Sequence, residues 1–282
     1  MTETIAYMRH TLEGYYPPGE LNAMIRLIME RVCNIQPYQF YLCKGRELSG
    51  EEKTSIRDIV ERLTTYEPIQ YILGKTDFCG LGFSVTPAVL IPRPETEELV
   101  DIIVRDYPQG GIDVLDIGTG SGCIAISLGK RLSGSRVSAL DVSAEALRVA
   151  RKNARSNNVE VLFYEADILQ PSVAEGSIET MFDVIVSNPP YVMEKEKAGM
   201  EKNVLDHEPS LALFVPDDDP LLYYRHIAHF ARQKLKERGR LYLEINAQMG
   251  DAIVDNLRMM KFSDVELLRD LSGKDRFIKA EI

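Results

Sequence analysis

A short apolar strand runs directly into a glycine loop in the stretch Val114-Leu115-Asp116-Ile117-Gly118-Thr119-Gly120-Ser121-Gly122. The strand ends at Asp116, and a helix is predicted from Ser121 to about Leu132. The glycines let the backbone turn sharply, and the first turn of the helix offers unpaired N–H groups to a ligand. The G-x-G-x-G spacing differs from the G-x-G-x-x-G spacing typical of dinucleotide binding. The stretch therefore predicts a ligand-binding βα turn, with a plain tight turn as the alternative.

Strands and helices alternate from this stretch to the end of the chain. Further strands are predicted at Val137–Leu140, Val161–Tyr164, Phe182–Val186, Arg240–Ile245, Val265–Leu268 and Phe277–Ile282. Helices are predicted from Ser143, near Leu221–Leu235 and at about Asp251–Met260. This alternation indicates a parallel α/β sheet in a Rossmann-like domain.

The first seventy residues have a helical pattern instead. Apolar residues recur at spacings of three and four in two stripes, at Leu21, Met24, Ile25, Ile28 and Val32 and at Ile56, Ile59, Val60 and Leu63. Ser49 and Glu52 have the spacing of a capping box at the start of the second helix. We therefore expect a small helical bundle in residues 1–75, a β-hairpin linker in residues 76–91 and the α/β domain in residues 92–282.

Composition narrows the class of protein. The net charge is −10, and neither the helical segment nor the remainder is net positive, so no direct nucleic-acid binding is expected. No run approaches the roughly 18 apolar residues of a membrane helix, and the N-terminus lacks a secretory pattern. A cytoplasmic protein is expected. The cysteines Cys33, Cys43, Cys79 and Cys123 form no CxxC pair, so reduced thiols and no metal site are predicted.

Carboxylates follow two of the later strands, at the sheet edge where ligands bind in open α/β folds. Asp141 follows the strand Val137–Leu140, where a carboxylate can accept both hydroxyls of a ribose. Asp167 can accept an adenine amino group, and Ile168 can cover the face of that ring. The alternative for each aspartate is that it only caps a turn.

The strand Phe182–Val186 runs into the rigid loop Asn188-Pro189-Pro190-Tyr191. The two prolines fix φ and remove two N–H donors, which leaves the carbonyl of Pro189 free as an acceptor. The Asn188 side chain adds a second acceptor, Oδ1. Two acceptors in a fixed geometry match the two hydrogens of an –NH2 group. In isolation, a Pro-Pro turn begun by asparagine is the alternative.

Such a loop suits methyl transfer to a planar amide or amino nitrogen. An amide nitrogen is a poor nucleophile, because its lone pair is delocalised into the carbonyl. Holding both N–H bonds favours pyramidalisation, so orientation and electrostatic stabilisation can drive the reaction without a metal or strong base. Tyr191 is expected to form an aromatic wall. We therefore predict an S-adenosylmethionine-dependent methyltransferase. The expected cofactor contacts are Asp116, Gly118, Thr119, Gly120, Ser121, Gly122, Asp141, Asp167, Ile168 and Asn188.

Several further segments match one known family. They are Pro68–Gly74, Val89–Glu97, Glu208-Pro209, Ala212-Leu213 and Leu241–Ile245. With the glycine loop and the Asn-Pro-Pro-Tyr loop, they make nearly the whole chain resemble the HemK/PrmC family of protein-(glutamine-N5) methyltransferases. Two places depart from the family. Asp217-Asp218-Asp219 stands where relatives often carry a glycine-containing turn, and Ile168 where some carry an aromatic residue.

The resemblance implies a class I methyltransferase domain and a protein substrate. The family methylates the glutamine side chain of a Gly-Gly-Gln motif in peptide chain release factors, and the helical domain is thought to help hold that partner. By resemblance, the loop Asn188–Tyr191 and Arg93 are the substrate-binding residues here, and the loop is intact.

Two other functions compete with this one. DNA or RNA amino-methyltransferases, which act on adenine N6 or cytosine N4, use similar loops and flip the base out to reach it. The acidic balance and the lack of a recognisable nucleic-acid module argue against them. A non-catalytic binding protein with a relict cofactor site is the third candidate, and the intact motifs argue against it.

Overall fold

The computed structural model describes residues 1–39, 45–170 and 178–282, so Cys43 lies outside the described residues. The chain divides into two units. The first contains Met1–Gly74 and Glu201–His207, and the second contains Lys75–Met200 and Glu208–Ile282. In the part of the chain that the structure describes, no helix is long and apolar enough to span a membrane.

Ten α-helices and eleven strands are defined in the described ranges. The helices are α1 (Thr2–Leu12), α2 (Pro18–Cys33), α3 (Gly50–Thr64), α4 (Ile69–Leu73), α5 (Pro94–Asp106), α6 (Cys123–Arg131), α7 (Ala144–Ser156), α8 (Lys202–Leu205), α9 (Leu222–Lys234) and α10 (Gly250–Met259). The strands are β1 (Lys75–Phe78), β2 (Leu81–Ser84), β3 (Asp113–Ile117), β4 (Arg136–Asp141), β5 (Val161–Glu165), β6 (Phe182–Ser187), β7 (Val192–Met193), β8 (Phe214–Val215), β9 (Leu235–Glu244), β10 (Ser263–Arg269) and β11 (Asp275–Glu281).

The first unit is a helical bundle. Its core is made by the two predicted stripes on α2 and α3 together with Met8 and Leu12 of α1. The predicted capping box is present, because Ser49 Oγ accepts from the Glu52 N–H at 3.1 Å and Glu52 Oε2 accepts from the Ser49 N–H at 2.7 Å. Both donors at the start of α3 are thereby satisfied.

The second unit is built on a seven-stranded sheet in the order β10-β11-β9-β6-β3-β4-β5, preceded by the antiparallel hairpin β1–β2. Along β6, Val184 and Val186 face the layer of α5 and α6, while Ile185 faces the layer of α9 and α10. Burial on both faces explains why the strands are continuous apolar runs. The predicted Rossmann-like α/β fold is confirmed.

The predicted parallel sheet is mostly parallel, and it has an antiparallel edge that the sequence reasoning did not include. The five strands β9, β6, β3, β4 and β5 are parallel, but β11 runs antiparallel to β9 and β10 runs antiparallel to β11. Only the short segment 270–274 separates β10 from β11. A parallel pairing needs a crossover of a dozen or more residues, so this connection forces an antiparallel hairpin.

The carboxyl ends of three neighbouring strands meet at one edge of the sheet. Ile117 at the end of β3 is paired with Ser187 at the end of β6, and β9 beside it ends at Glu244. The glycine loop and the Asn-Pro-Pro-Tyr loop are therefore neighbours, at the edge where open α/β sheets bind ligands.

Candidate active site

A cavity of about 430 Å³ lies at this edge, within the second unit. That volume is in the usual range for small-molecule sites. The structure brings most of the predicted site residues to its wall, namely Arg93, Gly118, Thr119, Gly120, Ser121, Asp141, Asp167, Ile168, Asn188, Pro189 and Pro190. Asp116, Gly122 and Tyr191 do not line it.

The glycine loop has two kinds of glycine. Gly118 and Gly120 have positive φ, and a Cβ added to either would meet no atom within 4 Å, so the backbone is open on that side. Gly122, at φ +82°, is packed tightly, because its Cβ would stand 2.9 Å from Ile126 Cδ1 and 3.2 Å from the Cβ of Ala150. Gly118 and Gly120 thus leave space for a ligand, whereas Gly122 lets α6 and α7 approach each other.

Asp116 lies beneath the loop and is fully buried. Its Oδ2 accepts hydrogen bonds from Thr119 Oγ1 at 2.6 Å and from the Ala125 N–H at 3.3 Å. Burial, with a smaller contribution from Asp141, raises the pKa of Asp116 to about 7. These contacts shape the loop and join it to α6.

Asp141 lines the cavity and connects two loops. Its Oδ2 accepts from the Gly120 N–H at 2.8 Å, and its Oδ1 accepts from the Ser143 N–H at 2.9 Å. Burial raises the pKa of Asp141, and these backbone hydrogen bonds oppose that effect. Because a carboxylate has about four acceptor sites, the turn-capping bonds leave capacity for a ligand hydroxyl.

Asp167, like Asp141, both lines the cavity and caps a turn. It lines the cavity, and its Oδ1 accepts from the Leu169 N–H at 2.9 Å, as a turn-capping residue does. Ile168 beside it is nearly buried on the cavity wall. Val142 also lines the cavity, with an exposed fraction of 46%, and sequence reasoning missed it. Its position directly after Asp141 in the sequence could have indicated that Val142 lies at the site.

The Asn-Pro-Pro-Tyr loop is held by its end residues. The Tyr191 hydroxyl donates to Glu244 Oε1 at 3.2 Å, and burial raises the pKa of Tyr191. Asn246 Nδ2 donates to the Tyr191 carbonyl at 3.2 Å. The Tyr191 side chain therefore anchors the loop from behind, and Asn188, Pro189 and Pro190 form the cavity wall.

Asn188 is connected to two buried residues that sequence reasoning did not assign to the site. Its Nδ2 donates to Thr96 Oγ1 at 3.2 Å, and Thr96 Oγ1 donates to Glu244 Oε2 at 2.7 Å. Thr96 and Glu244 are 2% and 1% exposed. Glu244 is an acidic residue within the otherwise apolar stretch Leu241–Ile245. A carboxylate at the end of a buried strand is unusual, and this could have marked Glu244 as a site residue.

Arg93 is the other charged residue of the predicted substrate site, and it precedes α5 on the cavity wall. Its Nη2 donates to Glu208 Oε1 at 2.6 Å, and Glu208 Oε2 accepts from the Ile91 N–H at 3.3 Å. The Glu208 side chain is 2% exposed, whereas that of Arg93 is 33% exposed. Glu208 therefore fixes Arg93 while part of the Arg93 side chain stays accessible.

Comparisons with known proteins identify the family of the chain. Residues 3–74 match the model of the PrmC N-terminal domain, and residues 96–208 match the methyltransferase small domain. The release factor glutamine methyltransferase of Bacteroides thetaiotaomicron is 47% identical over 280 residues, which covers 99% of each chain. The chain belongs to the release factor glutamine methyltransferase family. The resemblance found in the sequence is thereby confirmed.

Other relatives support the same family and fold. The release factor glutamine methyltransferase of Chlorobaculum tepidum is 41% identical over 258 residues, covering 89% of this chain and 86% of that one. A methyltransferase structure from Pyrococcus furiosus superposes with a TM-score of 0.51 at 21% identity, covering 72% of this chain and 89% of that one. The second unit of this family member thus has the class I methyltransferase fold.

Proposed function

We propose that the chain transfers a methyl group from S-adenosylmethionine to the side-chain amide nitrogen, N5, of the glutamine in the Gly-Gly-Gln motif of peptide chain release factors. The names of the relatives support this substrate. The observation that carries the proposal is the placement of Asn188 on the wall of the same cavity as the glycine loop. An acceptor for an amide –NH2 group therefore stands beside a cofactor-sized site.

The cavity suits the proposed cofactor. The open backbone at Gly118 and Gly120 leaves room for the amino-acid and ribose part, and Asp141 offers acceptors for ribose hydroxyls. Val142 and Ile168 offer apolar surface for the adenine. The cofactor supplies an electrophilic methyl group on a sulfonium sulfur. Asp116 and Gly122 support the loop from behind.

The chain's own residues orient the nucleophile. In our proposal, Asn188 Oδ1 and the Pro189 carbonyl accept the two hydrogens of the target –NH2, which fixes its plane. Within the described residues no donor reaches Asn188 Oδ1, so this acceptor is available. When the cofactor is bound, the nitrogen would form a bond to its methyl carbon, the bond from that carbon to the sulfonium sulfur would break and leave a neutral thioether, and the nitrogen would release one proton to water. Orientation of this kind can lower the activation barrier substantially, because the reacting groups are already aligned.

The protein partner needs more surface than the cavity. We propose that Arg93, held by Glu208, contacts the substrate main chain through the exposed part of its side chain. The helical unit, which matches the PrmC N-terminal domain, is proposed to hold the body of the release factor.

The function is tested by incubating the protein with methyl-labelled cofactor and intact release factor, followed by mass mapping. We expect one methyl group on the motif glutamine and none on a release factor whose motif glutamine is replaced by alanine. Single-stranded and duplex DNA serve as parallel substrates. Label on DNA, or no label on the motif glutamine, would contradict the proposal.

A further inference from the structure

The amide of Asn188 has two nearly isosteric ends, and only one of them can accept a hydrogen bond. A flipped side chain would present its –NH2 to the cavity. It would then favour a target amide bound by its carbonyl oxygen, with the wrong atom toward the methyl group. The proposed reaction therefore requires something that prevents the flip.

The hydrogen bonds behind Asn188 supply that constraint. An ionised carboxylate can only accept, so Glu244 takes the single hydroxyl proton of Thr96 through the 2.7 Å bond. The Thr96 oxygen is then left with lone pairs alone toward Asn188. Only the Nδ2 end of Asn188 can satisfy it, at 3.2 Å. The assignment follows from donor and acceptor chemistry, because an Oδ1 placed there would face another acceptor.

We propose that Thr96 and Glu244 are positioning residues that lock the Asn188 amide with Oδ1 toward the substrate, and so select the nitrogen end of the target amide. This inference rests on the proposed function, since it assumes an amide substrate. It assigns a role to two residues that do not touch the substrate. It also gives the Thr96–Glu244 pair a part in excluding a glutamate side chain, which has no hydrogen to donate to Oδ1 when ionised.

The lock depends on the charge of Glu244. Four groups face this carboxylate, namely Thr96 and Glu95 at the start of α5, Tyr191 on the loop and Arg276 on β11. Tyr224 on α9 adjoins it, because its hydroxyl donates to the Glu244 main-chain carbonyl. Burial raises the pKa of Glu244, while the Thr96 and Tyr191 hydroxyls and Arg276 oppose that rise. A protonated Glu244 could donate to Thr96. The direction of the hydrogen bonds from Asn188 through Thr96 to Glu244 would then no longer be fixed.

The test compares Thr96→Val with Thr96→Ser in the full-length protein. Valine keeps the branched shape without the hydroxyl, and serine restores it. We expect Thr96→Val to slow single-turnover methyl transfer by about 10- to 100-fold with little change in cofactor affinity. Thr96→Ser should recover most of the rate. We expect the parent rate to fall at low pH as Glu244 becomes protonated. Glu244→Gln should slow transfer similarly and abolish that fall, because glutamine does not titrate.

A second readout separates this inference from the proposed function. The side-chain amide of Asn188 is observed by nitrogen-15 NMR, with its signal assigned from its loss in Asn188→Asp. We expect Thr96→Val to speed solvent exchange of that amide and Thr96→Ser to preserve its protection. A folded Thr96→Val that keeps both the parent rate and the parent amide exchange overturns the lock. If the parent protein is inactive on release factors while the amide exchange of the variants is as expected, the proposed function is wrong and the positioning role of Thr96 stands.

Discussion

The Ser187 hydroxyl donates a 2.7 Å hydrogen bond to the carbonyl oxygen of Ile117, and this bond ties the end of β6 to the end of β3. Both residues are buried, and each leads directly into one of the two site loops. The bond therefore helps to hold the glycine loop beside the Asn-Pro-Pro-Tyr loop. It is a side-chain contact that a sequence pattern does not reveal.

Replacing Ser187 tests the importance of that bond for the fold. We expect Ser187→Ala to lower the free energy of unfolding by about 1–3 kcal/mol, because a buried acceptor loses its donor. Denaturant titration measures the change. Ser138→Ala is the matched control, since Ser138 is also buried in the sheet, on β4, and its hydroxyl makes no side-chain hydrogen bond within the described residues. Equal losses in the two variants would contradict the expectation.

Asp141 is expected to contribute to cofactor affinity. Asp141→Ala removes the proposed acceptors for the ribose hydroxyls, and we expect the loss to be about 1–3 kcal/mol, or about 5- to 150-fold in Kd. Calorimetric titration with S-adenosylmethionine measures it. Because Asp141 also accepts from Gly120 and Ser143, the unfolding free energy is measured in parallel. Unchanged affinity in a folded variant would remove Asp141 from the site.

Arg93 is expected to act on the protein substrate alone. Arg93→Met keeps much of the side-chain length without the charge, and we expect KM for the release factor to rise about tenfold, which corresponds to about 1.4 kcal/mol. Cofactor Kd should stay close to that of the parent. Steady-state kinetics at varied release factor gives the answer. A variant with weakened cofactor binding and an unchanged KM would assign Arg93 to the cofactor instead.

An ion cluster at the opposite end of the sheet sets an acid limit on stability. Hydrogen bonds from Arg136 and Lys236 hold the pKa of Asp113 at about 2, and the unfolded value is about 3.9. The folded pKa is the lower one, so the cluster stabilises the protein above the unfolded pKa and loses that contribution as pH falls from about 4 to about 2.

The contribution is measured as the free energy of unfolding against pH. We expect the parent to lose stability through that window and Asp113→Asn to lose less, because asparagine does not titrate. Parallel slopes for the two proteins would show that Asp113 is not responsible.

The sequence predicted those parts of the site that lie on continuous stretches of chain. The glycine loop and the Asn-Pro-Pro-Tyr loop each follow an apolar strand, and the Ser49–Glu52 box spans one helical turn. The strand-end rule then placed both loops at one sheet edge. Local pattern and a general topological rule were sufficient for this much.

The supporting contacts were not predictable in the same way. Thr96 and Glu244 are 148 residues apart, and Arg93 and Glu208 are 115 apart. Their pairing depends on which strands become neighbours and on the side chains' final directions, which periodicity does not encode. The antiparallel edge is a different case, because the short segment 270–274 between β10 and β11 is itself a local signal for an antiparallel pair, and the sequence reasoning did not use it.

The most direct test of the account is single-turnover methyl transfer to intact release factor by Asn188 variants saturated with cofactor. Asn188→Ala removes the proposed acceptor, and we expect a loss of about 1–3 kcal/mol, or about 5- to 150-fold in rate, with cofactor affinity much less affected. Asn188→Asp keeps an acceptor but adds a charge that must be desolvated, so its rate should fall between those of the parent and the alanine variant. If folded Asn188→Ala transfers the methyl group as fast as the parent, the loop is only structural and the proposed mechanism is wrong.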